Sequence, residues 1–269
     1  MPPVLEQCRQ GLIDFLGPTL PEISVRRAAV GLLFSAVVLD TGHAGAAHTP
    51  AADLLEGPGP HRLDRPGDLD GLPAGELIAW AGHDHPLKSA LGVAGLNALT
   101  ALALDRGLPG VRTVEDMDGV DALGLAPGQL VAMIGAFLPF IRTLAKRGHR
   151  MVVIERHPHL VPADLKAVFR PPGETAAALG QADAVIISGT TLINQTLDEI
   201  LDAVAPGKPV VLAGPTASFY PLPLFARGVK GLAGCRVIDP ERLLAVVTQA
   251  GAGRDVLRGG AKKVVFVPE

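Results

Sequence analysis

Cysteine is scarce in this chain of 269 residues: Cys8 and Cys235 are the only two, and neither belongs to a C-x-x-C pair. That excludes a disulfide framework and a thiolate metal knuckle, and it fits a reducing cytoplasm. Aromatic residues make up 4%, with one Trp and one Tyr, and the net charge is only −3. Such a chain has neither the basic face nor the stacking platform that nucleic acid requires, so nucleic acid is not expected as a partner. The apolar run from 28 to 39 is shorter than the roughly 20 residues that span a bilayer and reads as buried strands. The start, MPPVLEQCRQGLIDF, carries Glu6 and Asp14 where an export signal has a basic stretch followed by an apolar core. The expectation is a cytoplasmic chain without membrane association. Also missing is G-x-G-x-x-G, and with it the usual pyrophosphate turn of a dinucleotide fold.

What is present is an apolar content of 48% and a length sufficient for two domains. The organising stretch is QLVAMIGAFLPFIRTLAKRGHRMVVIER, residues 129–156. An apolar run at 130–134 stops at Gly135, helical spacing follows through Phe137, Ile141 and Leu144, and a second run at 151–154 ends on Glu155. Two buried strands joined by a helix lie parallel only through a crossover, which predicts a parallel sheet with helices on its faces. Gly135 and Glu155 stand 20 residues apart at the carboxyl ends of these strands, where such sheets bind ligands.

The patterning predicts a first helix through Leu5, Cys8, Leu12 and Leu16, two strands in 24–40 and a short strand in 44–49. It places an exposed Gly- and Pro-rich loop at 56–75, a short helix at 76–80 and a buried helix at 86–104. After a Pro/Gly and acidic boundary within about 107–128 come strands at 184–187, 209–213, 232–238 and 263–267, with helices at 192–204 and 240–250. The expected architecture is α/β, with an N-terminal α+β domain over 1–110 and a Rossmann-like domain over 111–269.

Five segments carry a resemblance: GLNAL (95–99), MIGAFLPFI (133–141), VIER (153–156), ADAVIISGTTLINQTLDEIL (182–201) and VVLAGPTASFYPLPLFARGVKGLAG (210–234). Together they resemble the prokaryotic heavy-metal chelation family, formerly catalogued as a domain of unknown function. The resemblance implies an N-terminal domain similar to that of enolase, a Rossmann-like C-terminal domain, and a site in the cleft between them.

Ser188-Gly189-Thr190-Thr191 and Gly214-Pro215-Thr216 each follow a predicted strand, so both loops are expected on one sheet edge. The candidate ligand-binding residues are Gly135, Phe137, Glu155, Thr190, Thr191, Asn194, Gly214 and Pro215, with Thr190 or Thr191 alternatively a simple helix cap and Asn194 alternatively solvent-facing. The candidate metal ligands are His83 and His85 with His157 and His159, two H-x-H pairs whose nitrogen donors suit a divalent transition metal. His43 and His48 are weaker candidates. No activated nucleophile is written, and whether the chain is an enzyme stays open. The expected function is binding of a small polar or anionic ligand, a metal or a metal chelate. The alternative is a transferase-like enzyme with a nucleotide-like ligand, and a homo-oligomer is left open.

Overall fold

The computed structural model describes residues 2–56, 62–115, 117–157 and 161–269. Helix α1 (Val4–Leu16) turns Val4, Cys8, Leu12 and Leu16 into the core at the three- and four-residue spacing seen in the sequence. Strands β1 (Val25–Val30), β2 (Phe34–Leu39) and β3 (Ala44–His48) then form an antiparallel three-stranded sheet. Short helices α2 (Ala51–Glu56) and α3 (Ala74–Ile78) lead to α4 (Pro86–Asp105).

Every residue of β2 is buried, because the small sheet is covered on both faces. Val37, Leu39 and Ala47 share a core cluster with α4. Ala36, Val38, Ala44 and Ala46 share another with Leu243, Val246 and Val247 from the far end of the chain. A strand covered on both faces reads as a continuous apolar run, which is why 34–39 lacks polar alternation; the first part of the apolar run is not buried as expected, since Val30 and Leu32 are exposed. Helix α4 is long and apolar enough to cross a membrane, yet 83% of its apolar window is buried in this fold, where it serves as a core helix.

The larger sheet begins with β4 (Val111–Glu115), β5 (Leu130–Ile134), α5 (Leu138–Lys146), β6 (Arg150–Ile154) and β7 (Phe169–Arg170). It continues with α6 (Thr175–Gln181), β8 (Ala184–Ser188), α7 (Thr190–Ile193), α8 (Leu197–Ala203), β9 (Val210–Ala213) and α9 (Leu222–Ala226). It ends with β10 (Val229–Val237), α10 (Pro240–Thr248), α11 (Gly253–Gly259) and β11 (Ala261–Pro268). The eight strands run in the order β4-β11-β10-β9-β8-β5-β6-β7. Pairings from β10 through β7 are parallel, and β11 pairs antiparallel with both β10 and β4. The strand order reverses between β5 and β8, and the crevice at such a reversal is where doubly wound sheets bind ligands.

Two expectations need correction. The helix anticipated over 192–204 is two helices: α7 stops at Ile193, Gln195 adopts φ +60°, and Asn194 Oδ1 accepts from the Thr196 hydroxyl at 2.7 Å and its N–H at 3.3 Å. An Asx turn of this kind competes directly with helix continuation. The connector expected near 111–115 is β4, a five-residue edge strand paired only with β11. The loop expected over 56–75 is irregular and mostly exposed in its described part, and it is anchored by the buried Leu63 and Leu72 and by Val25 N–H, which donates to Leu72 C=O at 2.9 Å.

Candidate functional site

The reversal point is narrow because two loops meet there with almost no side chain between them. Gly135 follows β5 with φ +85°, and a Cβ at that position would stand 2.8 Å from Ser188 Cβ at the end of β8. Only glycine combines the left-handed backbone with that close approach. The turn is closed by Glu155, the residue after β6. Its Oε2 accepts from Ala136 N–H at 2.9 Å and its Oε1 from His157 N–H at 2.9 Å. Each carboxylate oxygen retains a second lone pair, so bracing the loops leaves acceptor capacity on a half-buried group.

Thr190 and Thr191 divide between the two roles weighed for them. Thr191 is buried and its hydroxyl donates to Ser188 C=O at 2.7 Å, a purely internal bond. Thr190 is half-buried, and its hydroxyl donates to Ser188 Oγ at 3.0 Å. Asn194 is exposed and serves the turn between α7 and α8. Phe137 caps α5 and packs edge-on against Phe140, with ring centroids 4.7 Å apart. Gly214 follows β9 at φ +104° and ψ 164°, and Pro215 is buried behind it. The Phe137 ring lies 3.9 Å from where a Gly214 Cβ would be, so the turns after β5 and β9 approach one another across the β8 loop.

The small sheet supplies the opposite wall. His48, the last residue of β3, donates its N–H to Thr216 Oγ1 at 3.0 Å, and its ring meets Phe34 edge-on. Burial pushes the His48 imidazole below its ordinary pKa, while Asp53, the Leu33 backbone and Glu155 push it back up. Two carboxylates, one from each half of the chain, therefore oppose the effect of burial on this half-buried residue. Asp53 on α2 also pairs with Arg156 at 2.6 Å, a bridge from the first half to the residue after Glu155. Weighed as a weak candidate from sequence, His48 is the histidine the tertiary structure brings to this edge. No local signal in AGAAHTP marks it out.

Asn97 holds the two walls together. It is 3% exposed, and its Nδ2 donates to Ala46 C=O at 2.7 Å, Thr216 C=O at 3.2 Å and Pro215 C=O at 3.3 Å. A signal for it did exist: one amide in a helix that is apolar all round must find partners across the core.

The histidine pairs follow different paths. His85 caps α4, its Nδ1 accepting from Leu87 N–H at 3.2 Å, and its Nε2 lies 3.0 Å from Arg62 C=O. His83 Nδ1 accepts from His85 N–H at 2.8 Å. His157 follows Glu155 and donates its N–H to that carboxylate, and His159 lies outside the described residues. Among the described residues no three His, Cys, Asp or Glu side chains stand close enough to hold a metal ion. The donor set at the edge therefore does not fit a bare ion, which takes three or four protein ligands. Cys8 and Cys235 are both buried, and burial raises both thiols, Cys235 to about 11, so neither supplies a thiolate.

The geometry matches known proteins over the full chain. A solved structure of a protein of unknown function from Pyrococcus horikoshii aligns with a TM-score of 0.76 at 21% identity, covering 99% of this chain and all of that one. Another, from Desulfitobacterium hafniense, aligns with a TM-score of 0.73 at 18% identity over 98% of each. An uncharacterised protein of Methanocaldococcus jannaschii is 29% identical over 195 residues, 72% of this chain and 71% of the relative. Two family models, both described as "Putative heavy-metal chelation", match residues 13–100 and 118–266. With the second of these spanning more than half of its length, this chain belongs to the "Putative heavy-metal chelation" family.

Proposed function

We propose that the carboxyl edge of the larger sheet, faced by the end of β3 and by α2, binds a small metal chelate between the two halves of the chain. The observation that carries this reading is the meeting of the two halves beside Glu155, where Asp53 pairs with Arg156 at 2.6 Å and His48 N–H donates to Thr216 at 3.0 Å. With Asp53 already paired to Arg156, the Glu155 carboxylate and the neutral His48 imidazole are the groups that favour a cationic centre. The family description points the same way. A chelated metal brings most of its own ligands and needs one or two more donors, which suits a site where no three donor side chains converge.

The nucleotide-like alternative is less well supported. In a dinucleotide fold the first turn offers its amides to phosphate. Here Ala136 N–H already donates to Glu155, and a carboxylate at that turn repels a second anion. Gly135, Phe137, Thr190, Gly214 and Pro215 then serve as the frame and floor of the chelate site, with Glu155 and His48 as its donors.

Titration calorimetry of the intact protein with three probes tests the reading: zinc alone, iminodiacetate alone, and zinc iminodiacetate, a neutral chelate with open coordination positions. The chelate should bind, and Glu155→Gln should weaken it roughly 10- to 100-fold, the worth of a charge-assisted bond of about 1.5–3 kcal/mol. Equal binding by wild type, Glu155→Gln and His48→Gln would remove the site from this edge.

A further inference from the structure

Behind the site, the seam between the two halves contains a polar atom that its hydrogen bonds do not use. The three partners of Asn97 Nδ2 are all carbonyl oxygens, which only accept, so the amide can take just one orientation: turned over, it would set Oδ1 against three oxygens. Oδ1 thus points away from them, and it has no hydrogen-bond partner among the described residues. The same side chain lines a cavity between α4, β3 and β10, together with Ala44, Gly45, Ala46, Ala101 and Cys235. Its room for the centre of a water-sized sphere is about 10 Å³, close to what one water molecule needs.

The walls of this cavity carry backbone groups of the right kind. Leu39 N–H donates to His43 C=O, so residues 43, 45 and 47 of this ladder bond to β2 and residues 44, 46 and 48 turn the other way. The bonds from Asn97 to Ala46 C=O and from His48 N–H to Thr216 confirm that phase. Ala46 N–H faces the same side as its carbonyl. On the other wall, Cys235 N–H donates to Ser218 Oγ at 2.9 Å, so the Cys235 carbonyl also turns away from β11.

We propose that this cavity is a built site for one internal water, which donates to Asn97 Oδ1 and to Cys235 C=O and accepts from Ala46 N–H. Three bonds are the usual complement of a buried water. The molecule completes the hydrogen bonding of Asn97 and ties α4 and β3 of the first half to β10 of the second. It stands behind the Gly214–Thr216 turn and does not depend on what binds at the sheet edge.

A high-resolution crystal structure of the intact wild-type chain tests the proposal directly. An ordered water within hydrogen-bond distance of Asn97 Oδ1 and at least one of the two backbone groups is expected. Ala101→Val adds two methyl groups to the same cavity one helical turn from Asn97 and touches no hydrogen-bonding group, so that density should vanish in its structure. A wild-type map with no peak in the cavity, or with a protein donor on Oδ1, would overturn the site, and so would a peak that persists unchanged in Ala101→Val. Should the variant fail to fold, the wild-type map decides alone.

Discussion

The turns after β5 and β9 begin alike, each with a glycine at positive φ at the end of a buried parallel strand, and they finish as different objects. The first is half-exposed and closed by a carboxylate, Glu155, whose oxygens can serve a ligand as well as two backbone amides. The second is buried and closed by an amide, Asn97, reaching over from the other half of the chain. Equivalent positions in a parallel sheet thus need not share a role. What lies across the seam decides which turn stays half-exposed and which is buried.

Breaking the buried turn should do the most damage. Asn97→Asp places a carboxylate against the carbonyls of Ala46, Pro215 and Thr216, and a buried charge without a partner costs about 3–5 kcal/mol. Urea denaturation at neutral pH measures it, and a loss below about 1 kcal/mol would mean that the amide does not hold the turn.

The two glycines separate next. Alanine at Gly214 meets only the Phe137 ring at 3.9 Å, so its cost is backbone strain alone, about 1–3 kcal/mol. Alanine at Gly135 carries similar strain and a collision with Ser188 Cβ at 2.8 Å, so Gly135→Ala should lose more. Adding Ser188→Gly should return the difference, as thermal melts of the single and double variants would show.

Glu155→Gln sharpens the contrast further. It exchanges one acceptor oxygen for an NH₂ that must face Ala136 N–H or His157 N–H, and about 1.5–3 kcal/mol of stability should go with the lost charge-assisted bond. Full wild-type stability would show that the loops do not rely on the carboxylate.

A smaller effect belongs to pH. His48 has its folded pKa lowered mainly by burial, so between that value and its ordinary one near 6.5 the unfolded chain binds more protons. Stability from this residue is therefore complete above about pH 6.5 and declines as pH falls through that window. His48→Gln should flatten the acid side of a stability-against-pH curve, and an unchanged slope would place the ring in water. Least is expected from Asp53→Asn, because the partly exposed pair with Arg156 is worth no more than about 1 kcal/mol and is screened by salt.

The β-α-β crossover, the buried α4 and the strands at 184–188 and 210–213 were legible because each buries a long apolar run between polar stops. Strand β4 and helix α11 were not, since Val111–Glu115 sits at the sheet edge beside β11 and Gly253–Gly259 buries only Val256 in its own length. At the candidate site, Gly135 and Glu155 were readable from the strand ends that carry them. Asn194 belongs to a turn, because an Asx bond two residues on satisfied its side chain locally. His48 was legible only as a weak candidate and Asp53 not at all, because both meet this edge only through the docking of one sheet against the other.

Local pattern by itself determined which stretches are strands, which helix is buried, and that Gly135 and Glu155 lie at one edge, because apolar period and glycine conformation are properties of a few adjacent residues. Tertiary structure alone decided that β3 ends against the loop after β9, that Asn97 closes one turn and leaves the other open, and that Asp53 pairs with Arg156 across the seam. Those outcomes depend on distances between residues more than a hundred positions apart, and such distances are set by the packing of whole sheets and helices, which no short segment encodes.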